Sequence, residues 1–333
     1  MRKIWLYTLL FALLFGLAAC SGESAVSQSK EEKQGDVLRI GYINSTGIKE
    51  GENPPIGGGE GWAIYKGLLQ ERLAKIGITK IEYYSFPNGP DLNEAIAASE
   101  IDIGLLGDTP GILAKASGYE TTLLGLSGIK SNVWLVSNKK EVITDLSQLE
   151  GKIVGTAKGS YMYRYLLGLL EEHGLQDKVE VVHMLPPDAQ TSLEKGDIAA
   201  YAAPTYTGPR LVKNGFPVIH EAAKDAPHLS GTSVTIARNE FLEKHPEFAT
   251  VWAKTRKEAV RDLKQNLEEY YQYYSTVSQQ DLDIVKDSAP IDTFNEDSFP
   301  EEGLALLEGT KQFLLEQGLI RQDFSIEDWR NGK

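Results

Sequence analysis

The chain has 333 residues, of which 47 are acidic and 34 basic, and it contains one cysteine and five histidines. This length is enough for two domains, and a composition of 41% hydrophobic and 24% charged residues is that of a globular protein. The formal net charge of −13 argues against non-specific nucleic-acid binding, so we expect no nucleic-acid partner. One cysteine excludes an internal disulfide and a zinc site built from several cysteines.

The N-terminus predicts an export signal that ends in a lipid-attachment site. Arg2 and Lys3 precede an apolar stretch, residues 4–16, which is shorter than the roughly 20 residues of a membrane span. Residues 17–20 read L-A-A-C and resemble a bacterial lipobox, whose cysteine, here Cys20, is acylated through its sulfur and becomes the first residue. An ordinary signal peptide with a cysteine near its cleavage site is the alternative.

Residues 1–19 are therefore predicted to be a lipoprotein signal peptide. Its removal takes away the charges of Arg2 and Lys3 and changes the formal net charge from −13 to −15. Residues 20–36 are mostly small, polar and charged, and they bury too little apolar area to offset the entropy of ordering. We expect them to be a flexible tether that leaves the protein lipid-anchored on the extracytoplasmic face of the cell membrane.

The next part of the chain alternates between strands and helices. Apolar periodicity predicts strands over 37–42, 81–86, 101–107 and 121–126, and helices over 60–76, 91–99 and 109–117. The alternation restarts with strands over 133–137, 152–156, 179–184, 198–202, 217–220 and 233–237, and with a helix over 160–173. Such alternation is typical of βαβ units around a mainly parallel sheet.

A helical segment ends the chain. It runs from Asn239 onward and is interrupted at Pro246, Pro290 and Pro300. The strands over 133–137 and 233–237 bracket the second α/β unit, so we expect the chain to leave the first unit and return to it. This predicts two lobes: a discontinuous lobe 1 (37–130 and 238–333) and a lobe 2 (131–237).

No arrangement of residues predicts catalysis. The histidines are scattered, and none has the spacing of a metal-binding H-E-x-x-H helix. The chain has no G-x-S-x-G turn for a serine nucleophile, and the glycine-rich residues 57–61 do not match a phosphate-binding loop. We therefore expect a protein that is not an enzyme and that has no cofactor and no metal ion.

Two turns that lead from a strand into a helix predict anion binding. Gly107, Asp108 and Thr109 form the first turn, with Asp108 or Thr109 as the helix cap, and Gly159 and Ser160 form the second. Each turn places free backbone N–H groups at the carboxyl end of a parallel strand, where an anion is stabilised without a counter-charge. Plain helix capping is the alternative, but the occurrence of the turn in both units favours a shared cleft.

Aromatic side chains near these turns are candidates for the walls of the cleft. Core packing is the alternative for each of them. The candidates are Tyr42, Trp62, Trp134, Tyr161, Tyr201 and Tyr206.

Five segments in a fixed order carry a resemblance to a known family. They are residues 86–90 (FPNGP), 101–110 (IDIGLLGDTP), 158–160 (KGS), 185–189 (LPPDA) and 195–201 (KGDIAAY). With them the chain resembles the substrate-binding components of nitrate, sulfonate and taurine ABC importers, in particular the aliphatic-sulfonate-binding branch. The resemblance covers nearly the whole mature chain.

This resemblance implies an α/β fold of the periplasmic-binding-protein type II, with two lobes, a hinge and a C-terminal helical segment. It implies a monomer that closes on a small anionic ligand and delivers it to the permease and ATPase subunits of an ABC importer. Together with the candidate turns and aromatic residues, it predicts ligand contacts from Asn44, Ser45, Gly107, Asp108, Thr109, Gly159, Ser160, Tyr161 and Tyr201.

Two departures from the family leave the ligand open. Residues 203–205 read Ala-Pro-Thr where the family often has Trp-Asp-Pro, and the first loop, residues 43–61, is longer than usual. We expect a sulfonate or a related sulfur-containing anion. The alternatives are nitrate or another small solute, an enzyme on the same scaffold, and a ligand sensor.

Overall fold

The computed structural model describes residues 35–44 and 53–333. The predicted signal peptide, Cys20, most of the predicted tether and Ser45 lie outside the described residues. The strands are β1 (Asp36–Ile43), β2 (Ile78–Phe86), β3 (Ile103–Gly107), β4 (Thr121–Ser131), β5 (Val133–Ser137), β6 (Ile153–Thr156), β7 (Glu180–His183), β8 (Ala200–Pro204), β9 (Val218–Glu221) and β10 (Gly231–Arg238).

Helices connect and follow these strands. They are α1 (Gly58–Tyr65), α2 (Leu68–Ala74), α3 (Gly89–Ala97), α4 (Asp108–Ala116), α5 (Tyr161–Glu172), α6 (Pro186–Lys195), α7 (Thr207–Lys213), α8 (Ala222–Asp225), α9 (Asn239–Lys244), α10 (Phe248–Gln265), α11 (Leu267–Ser278), α12 (Leu282–Ser288), α13 (Glu301–Glu316) and α14 (Ile326–Arg330). No helix in the described part of the chain is long and apolar enough to cross a membrane.

The strands form two five-stranded sheets. The first sheet has the order β2-β1-β3-β10-β4, and the second has the order β7-β6-β8-β5-β9. In each sheet one strand, β10 or β5, runs antiparallel to both of its neighbours, and the other neighbouring pairs are parallel. Four strands of each sheet therefore point the same way, which is the mainly parallel arrangement that the sequence predicts.

The chain passes between the sheets at two adjacent places. β4 belongs to the first sheet and β5 to the second, and a single residue, Asn132, separates them. The side-chain oxygen of Asn132 accepts hydrogen bonds from the backbone N–H groups of Val133 and Ala223, 2.9 and 2.8 Å away. The chain returns at β10, whose first residue, Gly231, is paired with Ser131 at the end of β4.

The two predicted lobes stay a prediction, which the distribution of the strands supports except at β10, a strand of the first sheet whose residues 231–237 fall within the predicted bounds of lobe 2. The first sheet takes its strands from the segments 36–131 and 231–238, and the second takes all of its strands from 133–221. Residues 35–333 together form one compact unit.

Each sheet is covered by its own hydrophobic residues. On one face of the first sheet, Trp62 of α1 and Val260 of α10 lie in a core with strand residues, and a second core contains Ile112 of α4 and Trp329 of α14. The second sheet packs against α5, where Tyr165 is fully buried, and against α6 and α7. Both sheets are therefore held between helices, as expected for mainly parallel strands that are buried on both faces.

Three predicted breaks in the C-terminal segment are confirmed. α9 ends before Pro246, α12 ends before Pro290, and α13 begins directly after Pro300. Proline lacks a backbone N–H and is tolerated in the first turn of a helix but not in its interior, which explains why no helix continues through these three positions.

The prediction of one continuous helix over 60–76 is wrong. The structure contains two helices there, α1 and α2, separated at Gly67, whose φ of 71° lies in the left-handed region. Glycine adopts this conformation without a steric cost, so the apolar stripe continues across a break in the helix. α6 and α7 were not predicted, because α6 begins with two prolines and the short α7 contains Gly208 and Pro209.

The start of α1 depends on a close backbone approach at Gly61. A Cβ atom added to Gly61 would lie 1.7 Å from the carbonyl oxygen of Ile56. We expect Gly61→Ala to lower the free energy of unfolding by at least about 2 kcal/mol, because the backbone must move to relieve the overlap.

A matched glycine substitution is available in α13. A Cβ atom at the exposed Gly309 would meet nothing within 4 Å, so Gly309→Ala should raise the free energy of unfolding by about 0.5–1 kcal/mol. Denaturant unfolding of the two variants measures both effects. Equal stabilities of the two variants would contradict the predicted clash at Gly61.

Candidate functional site

A cleft of about 1050 Å³ lies between elements of the two sheets. From the first sheet its lining includes the end of β3 and the start of α1. From the second sheet it includes the turn before α5 and the segment that follows β8. A concave site of this size accommodates a small-molecule ligand.

The N-terminus of α5 offers free donors to this cleft. Ser160 is the N-cap, and its hydroxyl accepts a hydrogen bond from the backbone N–H of Tyr163 at 3.3 Å and donates one to the carbonyl oxygen of Ala157 at 2.5 Å. The backbone N–H groups of Tyr161 and Met162, the first two residues of the helix, have no intrahelical acceptor. Because Ser160, Tyr161 and Met162 all line the cleft, these N–H groups can bind an anion there.

The N-terminus of α4 differs, because its first residue is a buried carboxylate. Gly107 is the N-cap, so neither Asp108 nor Thr109 caps this helix as predicted. Asp108 is fully buried, and Oδ1 accepts hydrogen bonds from the backbone N–H and the hydroxyl of Thr109. The next residue, Pro110, has no N–H, so few donors remain at this helix end for an anion.

The second oxygen of Asp108 binds two other segments of the chain. Oδ2 accepts from the backbone N–H of Thr232 at 2.8 Å, from its hydroxyl at 3.3 Å and from the hydroxyl of Thr310 at 3.3 Å. Burial lowers the pKa of the nearby Arg164 guanidinium, and the charge of Asp108 partly opposes this. Asp108 is therefore a structural anion that joins α4, β10 and α13.

The two predicted turns approach each other across the cleft. A Cβ atom at Gly107 would lie 3.3 Å from the ring of Tyr161, and one at Gly159 would lie 3.1 Å from the ring of Pro90. Gly159 also has a φ of 79°, which favours glycine. Larger residues at either position would separate the elements that form the cleft.

Tyr161 and Tyr201 have different surroundings. The hydroxyl of Tyr161 accepts a hydrogen bond from the backbone N–H of Thr205 at 3.2 Å, and burial raises its pKa, so it stays protonated at neutral pH. Tyr201 is fully buried in the core of the second sheet, where its hydroxyl donates to the carbonyl oxygen of Met184 at 3.2 Å. Tyr161 thus positions the segment after β8, whereas Tyr201 packs in the core.

The structure places some of the predicted contacts in the lining and others behind it. Asn44, Gly107, Ser160 and Tyr161 line the cleft. Asp108, Thr109, Gly159 and Tyr201 are not part of its lining.

Four of the six aromatic candidates also lie at the cleft: Tyr42, Trp134, Tyr161 and Tyr206. Trp62, like Tyr201, is fully buried in a hydrophobic core, and its indole N–H donates to Asp262 at 2.7 Å.

Eight charged residues that were not among the predicted contacts line the cleft: Glu60, Lys130, Lys158, Arg210, Glu221, Asp287, Asp292 and Glu302. Arg210 of α7 is half-buried and lines the cleft, and its guanidinium makes no ion pair or hydrogen bond with any described residue. Glu60 of α1 lines the cleft as well and is 3% exposed. For Glu60 the sequence did contain a signal, namely a charged residue directly after the three glycines 57–59. For Arg210 it contained none, because helix α7 was not predicted.

No group of three metal-binding side chains lies close together within residues 35–44 and 53–333. The polar groups of the cleft are instead N–H donors, hydroxyls, amides and charged side chains, of which Lys130 and Glu302 form an ion pair.

The family of this protein is shown by a family model that matches most of the α/β part of the chain. A family model described as "NMT1/THI5 like" matches residues 76–269, which is more than half of the sequence. The chain belongs to the NMT1/THI5-like family. It is similar to a Bacillus subtilis (strain 168) protein named for binding aliphatic sulfonates, with 28% identity over 281 residues, 83% of this chain and 79% of that protein. The predicted resemblance to the sulfonate-binding branch is confirmed.

Solved structures confirm the fold. The periplasmic aliphatic sulphonate binding protein SsuA from Escherichia coli matches with a TM-score of 0.69 and 24% identity, over 89% of this chain and 98% of that one. The desulfurization enzyme DSZB matches with a TM-score of 0.70 and 16% identity, over 88% of this chain and 96% of that one. The periplasmic-binding-protein fold is thus shared by a binding protein and an enzyme.

Thr109 allows the structural role of the α4 turn to be tested. Thr109→Val keeps the shape of the side chain but removes a hydroxyl donor from the buried carboxylate of Asp108. We expect the free energy of unfolding to fall by about 1–3 kcal/mol and the affinity of the cleft for a small anion to stay within about twofold.

Thr109→Ser, which keeps the hydroxyl, is the matched control and should lose less stability. Denaturant unfolding and titration calorimetry of both variants provide the measurements. A large loss of affinity in the valine variant without a loss of stability would assign the hydroxyl to the ligand instead.

Proposed function

We propose that the chain is the extracytoplasmic solute-binding component of an ABC importer and that its cleft captures a small sulfonate or a related sulfur-containing anion. The observation that carries this proposal is the guanidinium of Arg210, which has no partner among the described residues and lies in the same cleft as the free N–H groups of Tyr161 and Met162. A sulfonate carries a permanent negative charge on three oxygens, and a guanidinium can bind two of them at once.

The similarity to a protein named for binding aliphatic sulfonates supports this ligand class. Binding by local donors also agrees with the acidity of the chain, whose net charge of −13 would repel an anion at long range.

The ligand is held between the two proposed lobes, residues 37–130 with 238–333 and residues 131–237. Asn44 and Gly107 contact it from lobe 1, and Ser160 and Tyr161 contact it from lobe 2. Their positions in the lining of one cleft support this assignment. The protein acts as a monomer that delivers the anion to the permease and ATPase subunits, as the family similarity suggests.

Catalysis is the second candidate function, because DSZB has the same fold. At 16% sequence identity, the similarity to DSZB shows that the two proteins share a fold but not that they share an activity. The more similar Bacillus subtilis protein is named for binding, and we therefore infer that this chain binds its ligand without converting it.

Lipid attachment at Cys20 completes the proposal. Cys20 is the single cysteine of the sequence and follows an apolar stretch with two preceding basic residues. An acyl anchor at this position would keep the binding protein beside its permease on the outer face of the membrane.

Arg210→Met removes the guanidinium but keeps a side chain of similar length. We expect the affinity for ethanesulfonate or its 2-amino derivative to fall by about 10–100-fold, because a charged two-pronged donor is lost. Titration calorimetry of the purified protein measures the change. Arg321→Met, at an exposed position outside the cleft, is the matched control and should bind as the unmodified protein does.

Two results would contradict the proposal. One is unchanged affinity in the Arg210 variant. The other is tight binding of nitrate together with no binding of any sulfonate.

The anchor is tested by Cys20→Ser. The unmodified protein should partition into the membrane fraction and incorporate a labelled fatty acid, whereas the variant should be soluble and unlabelled. Membrane association that persists without any label in the unmodified protein would instead indicate an uncleaved apolar N-terminus.

A further inference from the structure

Glu60 places a buried carboxylate in the wall of the cleft that belongs to the first sheet. It lies in the first turn of α1 and is 3% exposed. Its Oε1 accepts hydrogen bonds from Nε of Arg256 at 3.1 Å and from the hydroxyl of Thr235 at 3.4 Å. Arg256 is itself 3% exposed, so the two residues form a buried ion pair without net charge.

The other oxygen of this carboxylate has no partner. Oε2 of Glu60 is buried and accepts no hydrogen bond from any described residue. A buried carboxylate oxygen without a donor is costly, because water has been removed and nothing has replaced it. Such an atom in the wall of a cleft is available to accept a hydrogen bond from a group in the cleft.

The space beside Oε2 is kept open by a glycine. Gly58 has a φ of 68°, and a Cβ atom at this position would lie 3.6 Å from Oε2 and 3.4 Å from the carbonyl oxygen of Ser127. The backbone N–H of Gly58 is already used, because it donates to the hydroxyl of Tyr270 at 2.9 Å. Two acceptor oxygens therefore border this space.

The facing wall contains hydrogen-bond donors together with one carboxylate, that of Glu221 at the end of β9. Arg210 and the N-terminus of α5 belong to the second sheet and present donors to the same cleft. A ligand that satisfies both walls is an anion at one end and a hydrogen-bond donor at the other.

We propose that Oε2 of Glu60 accepts a hydrogen bond from the bound ligand and that the ligand is a sulfonate with an amino or hydroxyl group, rather than a simple alkanesulfonate. This inference rests on the proposed function, because the anionic end is assigned to Arg210 and α5. Glu60 is then the residue that selects among sulfonates, and an ammonium group is favoured over a hydroxyl because a charge-assisted hydrogen bond is stronger.

The first test compares three probes on the purified protein by titration calorimetry: ethanesulfonate, 2-hydroxyethanesulfonate and 2-aminoethanesulfonate. We expect the 2-amino compound to bind at least about tenfold more tightly than ethanesulfonate, with the 2-hydroxy compound between them. Equal affinities for the three would overturn the inference and would mean that a water molecule satisfies Oε2. Absence of binding to all three would overturn the proposed function itself.

The second test assigns the preference to Glu60. Glu60→Gln keeps an oxygen for Arg256 but replaces Oε2 by a donor, so the preference for the 2-amino compound over ethanesulfonate should disappear. Glu302→Gln is the matched control, because Glu302 also lines the cleft but is exposed and paired with Lys130 at 2.9 Å. It should keep the full preference.

A preference that persists in a folded Glu60→Gln protein would overturn the assignment. Thermal unfolding of the variant establishes that it is folded. If the loss of the buried ion pair prevents folding, the comparison of the three probes on the unmodified protein decides the ligand class alone.

Discussion

The fully buried carboxylate of Asp108 is the constraint around which the base of the cleft is built. Removing a carboxylate from water costs several kcal/mol unless hydrogen-bond donors replace the lost water. Thr109, Thr232 and Thr310 supply these donors, and they come from α4, β10 and α13. The turn after β3, the strand that returns from the second sheet and a C-terminal helix are therefore held at one place by a single charge.

This constraint decides which of the two helix N-termini keeps free N–H donors. The backbone N–H of Thr109 donates to Asp108, and Pro110 has no N–H. The N-terminus of α4 therefore has few free N–H groups left for a ligand. The N-terminus of α5 carries no such carboxylate and keeps its free N–H groups. Arg210 lies on the same side, and Glu60 lies on the other. The two turns look equivalent in sequence, but in the structure only the turn before α5 keeps free N–H groups at the lining of the cleft.

The fold was predictable because local signals and tertiary packing agree over most of the chain. Alternating apolar runs located the strands, and prolines at 246, 290 and 300 marked helix boundaries that the structure confirms. The errors have local causes. A left-handed glycine at 67 divides one apolar stripe into two helices, and α7 contains Gly208 and Pro209, which suppress the helical signal.

The sequence by itself determined the fold class, the family and the turns that border the cleft, because these depend on periodicity and on glycine and proline at particular positions. Only the tertiary structure decided which residues of those turns line the cleft. The sequence predicted Asp108 and Thr109 as binding residues, yet in the structure they hydrogen-bond to each other. Glu60 and Arg210, which do line the cleft, come from helices 150 residues apart in the sequence. Whether a polar atom is used or free depends on partners remote along the chain, and a local pattern contains no information about them.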